Sequence, residues 1–337
     1  MPQHKVEKTR FAVLGCGNIA KNHFKGIDDT EEAELVAICD VDGVKLKPYA
    51  EQYDVPVYKD YREMLKQENI DVVNICTPSG MHPSQTMLAA EAGKHVLVEK
   101  PMAIHLKDID LMIEACRQNG VLLATVFPRR MAPAAQFAKQ LIEDGRLGQL
   151  SLCSAYIKFY RTQEYYDSAG WRGTWAMDGG GVLMNQGIHT VDLLQWLVGP
   201  VQSLHGQART VLRNIEVEDA AIASLTFKSG AMGVIEGTTT AFNQPTHRII
   251  IHGDKGTLIL TEDEITTLDI VGEEIEIPEF PPFRVIPDGH RIQIRDMALA
   301  VRDGRQPIVT GDDGRHSLEI ILGTYQSSKT GAKIVLS

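Results

Sequence analysis

Three groups of residues in this chain have types and spacings suited to chemistry. The first is Gly15-Cys16-Gly17-Asn18-Ile19-Ala20, a G-x-G-x-x-A run that directly follows an apolar stretch. Glycine at 15 permits a tight turn, and glycine at 17 lets backbone approach a pyrophosphate. Alanine at 20 lets a helix pack closely on its strand, and the helix N-terminus offers amide donors to phosphate. Asp40 follows at roughly 20 residues, where a carboxylate accepts hydrogen bonds from ribose hydroxyls and repels a 2′-phosphate. NAD is therefore favoured over NADP; the alternative for Asp40 is to cap a helix starting at Gly43. Thr77 and Pro78, with His82 nearby, end a further strand and are expected to line the same edge.

The second group is Val98-Glu99-Lys100-Pro101. Proline stops a ladder, so Lys100 is left at the carboxyl edge of a sheet, where ligands of open α/β folds bind. The third is the segment 178–192, which opens with Gly179-Gly180-Gly181 and turns helical. Asn185, His189 and Asp192 fall at i, i+4 and i+7, so one helical face is expected to carry all three. Just upstream, Tyr165, Tyr166, Trp171, Arg172 and Trp175 cluster. Trp171 offers a stacking plane, and Arg172 can grip a phosphate or carboxylate bidentately.

The elements that must position these residues follow from hydrophobic patterning. Apolar runs at 10–14, 33–39, 71–76, 95–98 and 121–126 alternate with helical spacing at 18–26, 43–53, 61–67, 84–91 and 106–119. Strand-helix alternation of this kind predicts a Rossmann-type doubly wound parallel sheet. After Phe127-Pro128 and a helix at 134–143, strands at 150–160, 201–212, 220–227, 231–239, 246–252 and 256–261 follow one another across short turns. They predict an α+β domain with a mostly antiparallel sheet. Helical spacing returns at 289–302 and 316–329. Domains are thus expected at 1–128 and 129–337.

Composition narrows the class. Hydrophobic residues at 43% and charged residues at 23% are those of a globular protein, and a net charge of -10 argues against a nucleic-acid or anionic membrane partner. No apolar run is long enough to span a bilayer, and the polar start 1–10 has no signal-peptide pattern. Cys16, Cys39, Cys76, Cys116 and Cys153 lack metal-site spacing and read as reduced core residues of a cytoplasmic protein; no metal site is expected.

Taken in order, Gly15-Cys16-Gly17-Asn18-Ile19-Ala20, Glu99-Lys100-Pro101, and Gly180-Gly181 with Asn185, His189 and Asp192 resemble the Gfo/Idh/MocA oxidoreductases across essentially the whole chain. The resemblance implies a Rossmann domain followed by an α/β domain whose large open sheet forms a homodimer or homotetramer interface. It implies NAD-dependent hydride transfer at a secondary alcohol of a sugar, sugar derivative or cyclitol. It also implies Lys100 and His189 as the catalytic pair, with Gly15, Cys16, Gly17, Asn18, Ile19, Asp40, Thr77, Pro78, His82, Glu99 and Lys100 toward the cofactor. Substrate contacts fall to Asn185, Arg172, Trp171 and Asp192. The Trp171-Arg172-Gly173-Thr174-Trp175 run before the glycines is similar to nucleotide-sugar dehydrogenases acting at C3. One departure is Asn185, where many members carry aspartate. Asparagine orients a hydroxyl or an imidazole but relays no proton.

Free lysine titrates near ~10.4 and free imidazole near ~6.5, so histidine needs far less tuning to act as a base near neutrality. His189 is therefore the expected general base, with Lys100 the fixed charge beside a developing alkoxide. A redox-neutral NAD-dependent glycosidase and a non-catalytic NAD-binding regulator remain as alternatives. The regulator is disfavoured because both Lys100 and His189 are present.

Overall fold

A computed structural model describes residues 7–337; residues 1–6, within the polar N-terminal stretch, lie outside the described residues. The chain divides into two compact units, residues 1–128 with 284–315, and residues 129–283 with 316–337.

In the first unit, strands β1 (Thr9–Leu14), β2 (Ala33–Cys39), β3 (Val57–Tyr58), β4 (Val72–Ile75), β5 (His95–Val98) and β6 (Leu123–Thr125) form one sheet. Their order is β3-β2-β1-β4-β5-β6, and every pairing is parallel. The direction of winding reverses between β1 and β4, which leaves a crevice at their carboxyl ends. Phe11, Val13, Val72, Ile75, Val96 and Val98 are all buried, as continuous apolar runs in a parallel sheet require. Helices Ala20–Asp28, Gly43–Gln52, His82–Glu91 and Leu106–Gln118 lie between the strands. Several ends differ from the sequence reading: the helix expected from 84 begins at His82, and the strand expected over 121–126 is confined to Leu123–Thr125.

The domain division needs one correction. Residues 284–315 were expected in the second domain, yet helix His290–Asp303 packs with the first unit. Ile294, Met297 and Ala298 join the buried cluster of Phe11, Val13, Phe24 and Ile27. Gly26 makes the close approach possible, since a Cβ there would meet Ile294 Cδ1 at 2.5 Å. Thr9 Oγ1 donates to the Ala298 carbonyl at 3.0 Å, and Gln293 Nε2 donates to that of Thr125 at 3.0 Å. Helical periodicity reveals an apolar stripe but not the surface it covers, so sequence alone left the helix with its neighbours in the chain.

The second unit is built on an eight-stranded sheet of β7 (Leu150–Lys158), β8 (Val201–Arg209), β9 (Ala220–Phe227), β10 (Met232–Thr238), β11 (His247–Gly253), β12 (Gly256–Thr261), β13 (Glu264–Ile270) and β14 (Ile334–Val335). The order is β13-β12-β11-β7-β10-β9-β8-β14, antiparallel except where β7 meets β10. On β9, Ala221, Ala223, Leu225 and Phe227 are buried while Ile222 and Ser224 are exposed, the alternation of a sheet with one open face. Helix Ile188–Val198 packs against β7 and β11. Strand β13 was not expected; as an edge strand carrying Glu264 and Asp269 it shows no apolar run. The final helix, expected over 316–329, already begins at Gly311 and runs to Thr330. Among the described residues, no helix is long and apolar enough to cross a membrane.

Candidate active site

The glycine turn sits where β1 ends. Gly15 adopts φ 93°, and a Cβ there would lie 2.9 Å from the Cys76 carbonyl carbon at the end of β4, so only glycine fits between these strands. Gly17 is different: nothing lies within 4 Å of its Cβ direction, which leaves open space beside the backbone. Cys16 presents its backbone rather than a thiolate, because burial pushes its thiol up to about 12. Asp40, at the end of β2, accepts from the Cys16 amide at 2.6 Å and from the Asp42 amide at 2.8 Å. The helix that begins at Gly43 is capped by Asp42 through the Val44 amide at 2.9 Å, so the alternative capping role falls to Asp42, not to Asp40. Asn18 and Pro78 are exposed and Ile19 and Thr77 half-buried around the same turn. An open approach at Gly17, a crevice at the switch point and a carboxylate at the end of β2 fit a dinucleotide of the NAD type.

His82 has a different place from the one expected. It is buried, with Nδ1 3.0 Å from the Pro101 carbonyl and Nε2 2.8 Å from that of Thr77. Burial lowers its pKa, so the ring is neutral and its single N–H donates to one of these two carbonyls. It fastens the Thr77 loop to the turn at Lys100-Pro101.

Glu99 likewise turns inward. Its Oε1 lies 2.9 Å from His23 Nε2 and 3.1 Å from His290 Nε2, and its Oε2 accepts the Lys100 amide at 3.1 Å. Asn74 Nδ2 donates to His23 Nδ1 at 3.0 Å, which places the His23 proton on Nε2, facing the carboxylate. Burial alone would raise the Glu99 pKa, but the hydrogen bonds from His23 and His290 hold it well below the usual carboxylate range. Lys100, half-buried, therefore follows a fixed anion. The three side chains bring ligand atoms within 4.8 Å of one another, a grouping of metal-ligating types that the sequence reading did not make. Its members lie 76 and 191 residues apart in the chain, and no local pattern links them.

In the second unit, residues 182–187 form a π-helical turn that leads into helix Ile188–Val198. Over 182–195, the accessible side chains are Asn185, Gln186 and His189; the others are buried. The expectation that Asp192 shares their face is corrected: in the one helix Ile188–Val198, His189 is half-buried whereas Asp192 is buried. Arg130 grips it bidentately, Nε to Oδ2 at 2.8 Å and Nη2 to Oδ1 at 2.6 Å, and Ser317 Oγ donates to Oδ1 at 2.9 Å. A buried, bidentate pair of this kind fixes the helix that carries His189.

Asn185 Nδ2 donates to Asp178 Oδ1 at 2.8 Å, while Asp178 Oδ2 accepts the Gly173 amide at 3.0 Å. That contact gives asparagine at 185 a physical reason, because aspartate there would set two carboxylates against each other. Gly173 belongs to the turn between Trp171, 39% exposed, and Trp175, 45% exposed. The Arg172 guanidinium stacks 4.4 Å from the Tyr165 ring and 4.6 Å from that of Trp171, and donates to Tyr165 Oη at 2.6 Å. Asp178, Arg130 and Gln186 were not singled out from sequence. The adjacency of Asp178 to the glycines was the one available signal.

Comparison with known proteins agrees with these features. Residues 9–127 match a family model described as oxidoreductase family, NAD-binding Rossmann fold, and residues 139–336 match its C-terminal alpha/beta domain. The chain is 28% identical over 331 residues to myo-inositol 2-dehydrogenase of Thermotoga maritima, covering 95% of this chain and 96% of that protein. It is 28% identical to D-glucoside 3-dehydrogenase of Escherichia coli, covering 97% of each. Among solved structures, the WlbA dehydrogenase from Bordetella pertussis in complex with NADH and UDP-GlcNAcA superposes with a TM-score of 0.89 at 36% identity, covering 98% of this chain and 99% of that one.

Proposed function

The chain belongs to the Gfo/Idh/MocA oxidoreductase family, and from that premise we propose that it oxidises a secondary hydroxyl of a nucleotide sugar at C3, with NAD as acceptor. Bound along the glycine turn, the dinucleotide supplies a nicotinamide carbon that accepts hydride. The remaining work falls to the chain's own residues. The Gly15–Ile19 turn receives the pyrophosphate, Asp40 the ribose hydroxyls, and Thr77 and Pro78 flank them. Val41, beside Asp40 and 81% exposed, offers an apolar surface to an adenine.

His189 removes the hydroxyl proton, and Lys100 holds the oxygen as it becomes an alkoxide. Asn185 orients the hydroxyl or the imidazole, with its amide set by Asp178. Asp192 acts through the Arg130 pair on the helix rather than on the substrate. Trp171 and Arg172 suit the base and the diphosphate of a nucleotide sugar, one as a stacking plane and the other as a planar cation. The observation that carries this reading is the exposure pattern of 182–195, where the accessible side chains are a histidine and two amides and the rest are buried.

A second copy of the chain is proposed to cover the open face of the eight-stranded sheet, as a homodimer or homotetramer, in the cytoplasm. Leu152, Ile222 and Met232 lie on that face with 41%, 54% and 62% exposure, and β10 pairs Met232 with Leu152 and Glu236 with Ile222. Light scattering reads the resulting mass.

A panel of nucleotide sugars, free pyranoses and cyclitols with NAD and NADP, followed by nicotinamide absorbance, tests the function. Turnover of nucleotide sugars with NAD is expected. Turnover of free sugars or cyclitols alone would overturn the substrate class. Release of an aryl leaving group with no net NADH would favour the glycosidase alternative.

A further inference from the structure

The start of the turn that carries Asn185 and His189 is built around one buried acid. Glu218, 2% exposed, follows the loop after β8 and directly precedes β9. Its Oε2 accepts the Gly181 amide at 2.7 Å, its Oε1 accepts the Leu183 amide at 3.0 Å, and its backbone carbonyl accepts the Val182 amide at 3.1 Å. Three successive donors at a helix N-terminus are thereby satisfied by a single residue. Tyr325 Oη, from the final helix, donates to Oε1 at 2.7 Å. Gly181 leaves no space for a Cβ against the Glu218 carbonyl, so the approach demands glycine.

We propose that Glu218 is a positioning residue for hydride transfer, one that fixes His189 and Asn185 by anchoring the amides of residues 181–183. The inference rests on the dehydrogenase reading above. Glu218 touches none of the reacting atoms; it acts through backbone. The anchor needs a carboxylate, since two amides and a hydroxyl all present hydrogens to the two side-chain oxygens. Protonation puts a hydrogen on one of those oxygens, so that the Tyr325 hydroxyl must turn to accept it or an amide faces a donor, and the hold on the amides weakens. Burial raises the Glu218 pKa to about 7, against the opposing pull of the Leu183 amide, Tyr325 and the Gly181 amide. The ionisable groups lining the adjoining cavity are Tyr325 and Lys329 of the final helix, Arg209 of β8 and Glu216 of the loop. The anchor therefore loosens as pH falls through neutrality.

Glu218→Gln preserves volume and removes the second acceptor. With any substrate that the wild type turns over, kcat is expected to fall roughly 10- to 100-fold, the scale of a small displacement of a reacting group, while the Kd for NAD stays within about twofold. The acid limb of the kcat profile, to which Glu218 contributes in the wild type, is expected to lose that contribution. Tyr325→Phe leaves both amide contacts and is expected to cost about fivefold, one hydrogen bond's worth. Should Glu218→Gln fail to fold, Tyr325→Phe still reads the anchor. Hydrogen exchange needs no substrate: the amides of Gly181 and Leu183 are expected to exchange at least about tenfold faster in Glu218→Gln than in the wild type. Unchanged protection of those amides, or a wild-type kcat and pH profile in Glu218→Gln, would overturn the proposal. A wild type that turns over nothing in the panel defeats the dehydrogenase reading instead, and exchange then decides the anchor alone.

Discussion

Glu99 in the first unit and Glu218 in the second are both buried carboxylates lying behind a proposed catalytic position, yet their surroundings drive them in opposite directions. Glu99 faces two imidazole N–H groups and is held well below the ordinary carboxylate range; Glu218 faces backbone amides and a tyrosine and is raised to about 7. Burial is the largest influence on both and raises both. The difference lies in the partners: two imidazole N–H groups aimed at one oxygen outweigh burial at Glu99, whereas the amides and the tyrosine at Glu218 do not. One unit thus holds its lysine on a permanent anion, and the other holds its histidine on an anion that comes and goes near neutrality.

The largest expected effect comes from removing the groups these anions serve. His189→Gln is expected to lower kcat about 10²- to 10⁴-fold, the usual share of a general base, with NAD affinity by calorimetry unchanged. Lys100→Ala is expected to cost roughly 10²- to 10³-fold by loss of charge stabilisation. Near-normal turnover in the histidine variant would reassign the base to Lys100 and undo the contrast between the two regions.

Asn185→Asp comes next. It sets a carboxylate 2.8 Å from Asp178, so one of the two must take up a proton, and kcat at neutral pH is expected to fall about tenfold. Recovery on the acid side, read from a pH profile, would distinguish this repulsion from a general loss of structure.

Glu99→Gln keeps one acceptor for the histidines and replaces the oxygen that receives the Lys100 amide. A loss of about 3 kcal/mol is expected from urea melts, within the range for breaking a buried ionic cluster. The smallest effect sharpens the comparison most. The folded pKa of Glu218 lies above its unfolded value, so its stabilising share is complete below the ordinary glutamate value of 4.5 and disappears as pH rises through about 7. That of Glu99 lies below, so its share is complete above 4.5 and disappears only as pH falls through the depressed folded value. The Tm of the wild type read against that of Glu218→Gln should therefore fall from pH 5 to 7, by about a few degrees, while the same comparison for Glu99→Gln stays flat.

Motifs with a local signature were legible from sequence. The glycine turn, the Asp40 carboxylate, Lys100 after β5 and the helix of His189 are each fixed by neighbours within about 20 residues, the range over which strand-helix patterning speaks. What escaped is what depends on distant pairing. His23 and His290 meet on Glu99 from far apart in the chain, and Arg130 reaches Asp192 across 62 residues. Asp192 was misplaced because helical spacing does not reveal that an arginine distant in the chain pairs with the carboxylate and buries it. His82 was read as a cofactor contact from position alone, although its ring is buried between two backbone carbonyls.

The return of helix His290–Asp303 to the first unit bears on how the chain is made. During synthesis the Rossmann strands emerge long before Ile294 and Met297, which complete the cluster around Phe11 and Phe24. A nascent chain stalled after residue 128 carries an open apolar groove on β1 and its helix, the kind of surface that chaperones hold. The unit whose strands leave the ribosome first thus cannot close its core until helix His290–Asp303 has been made.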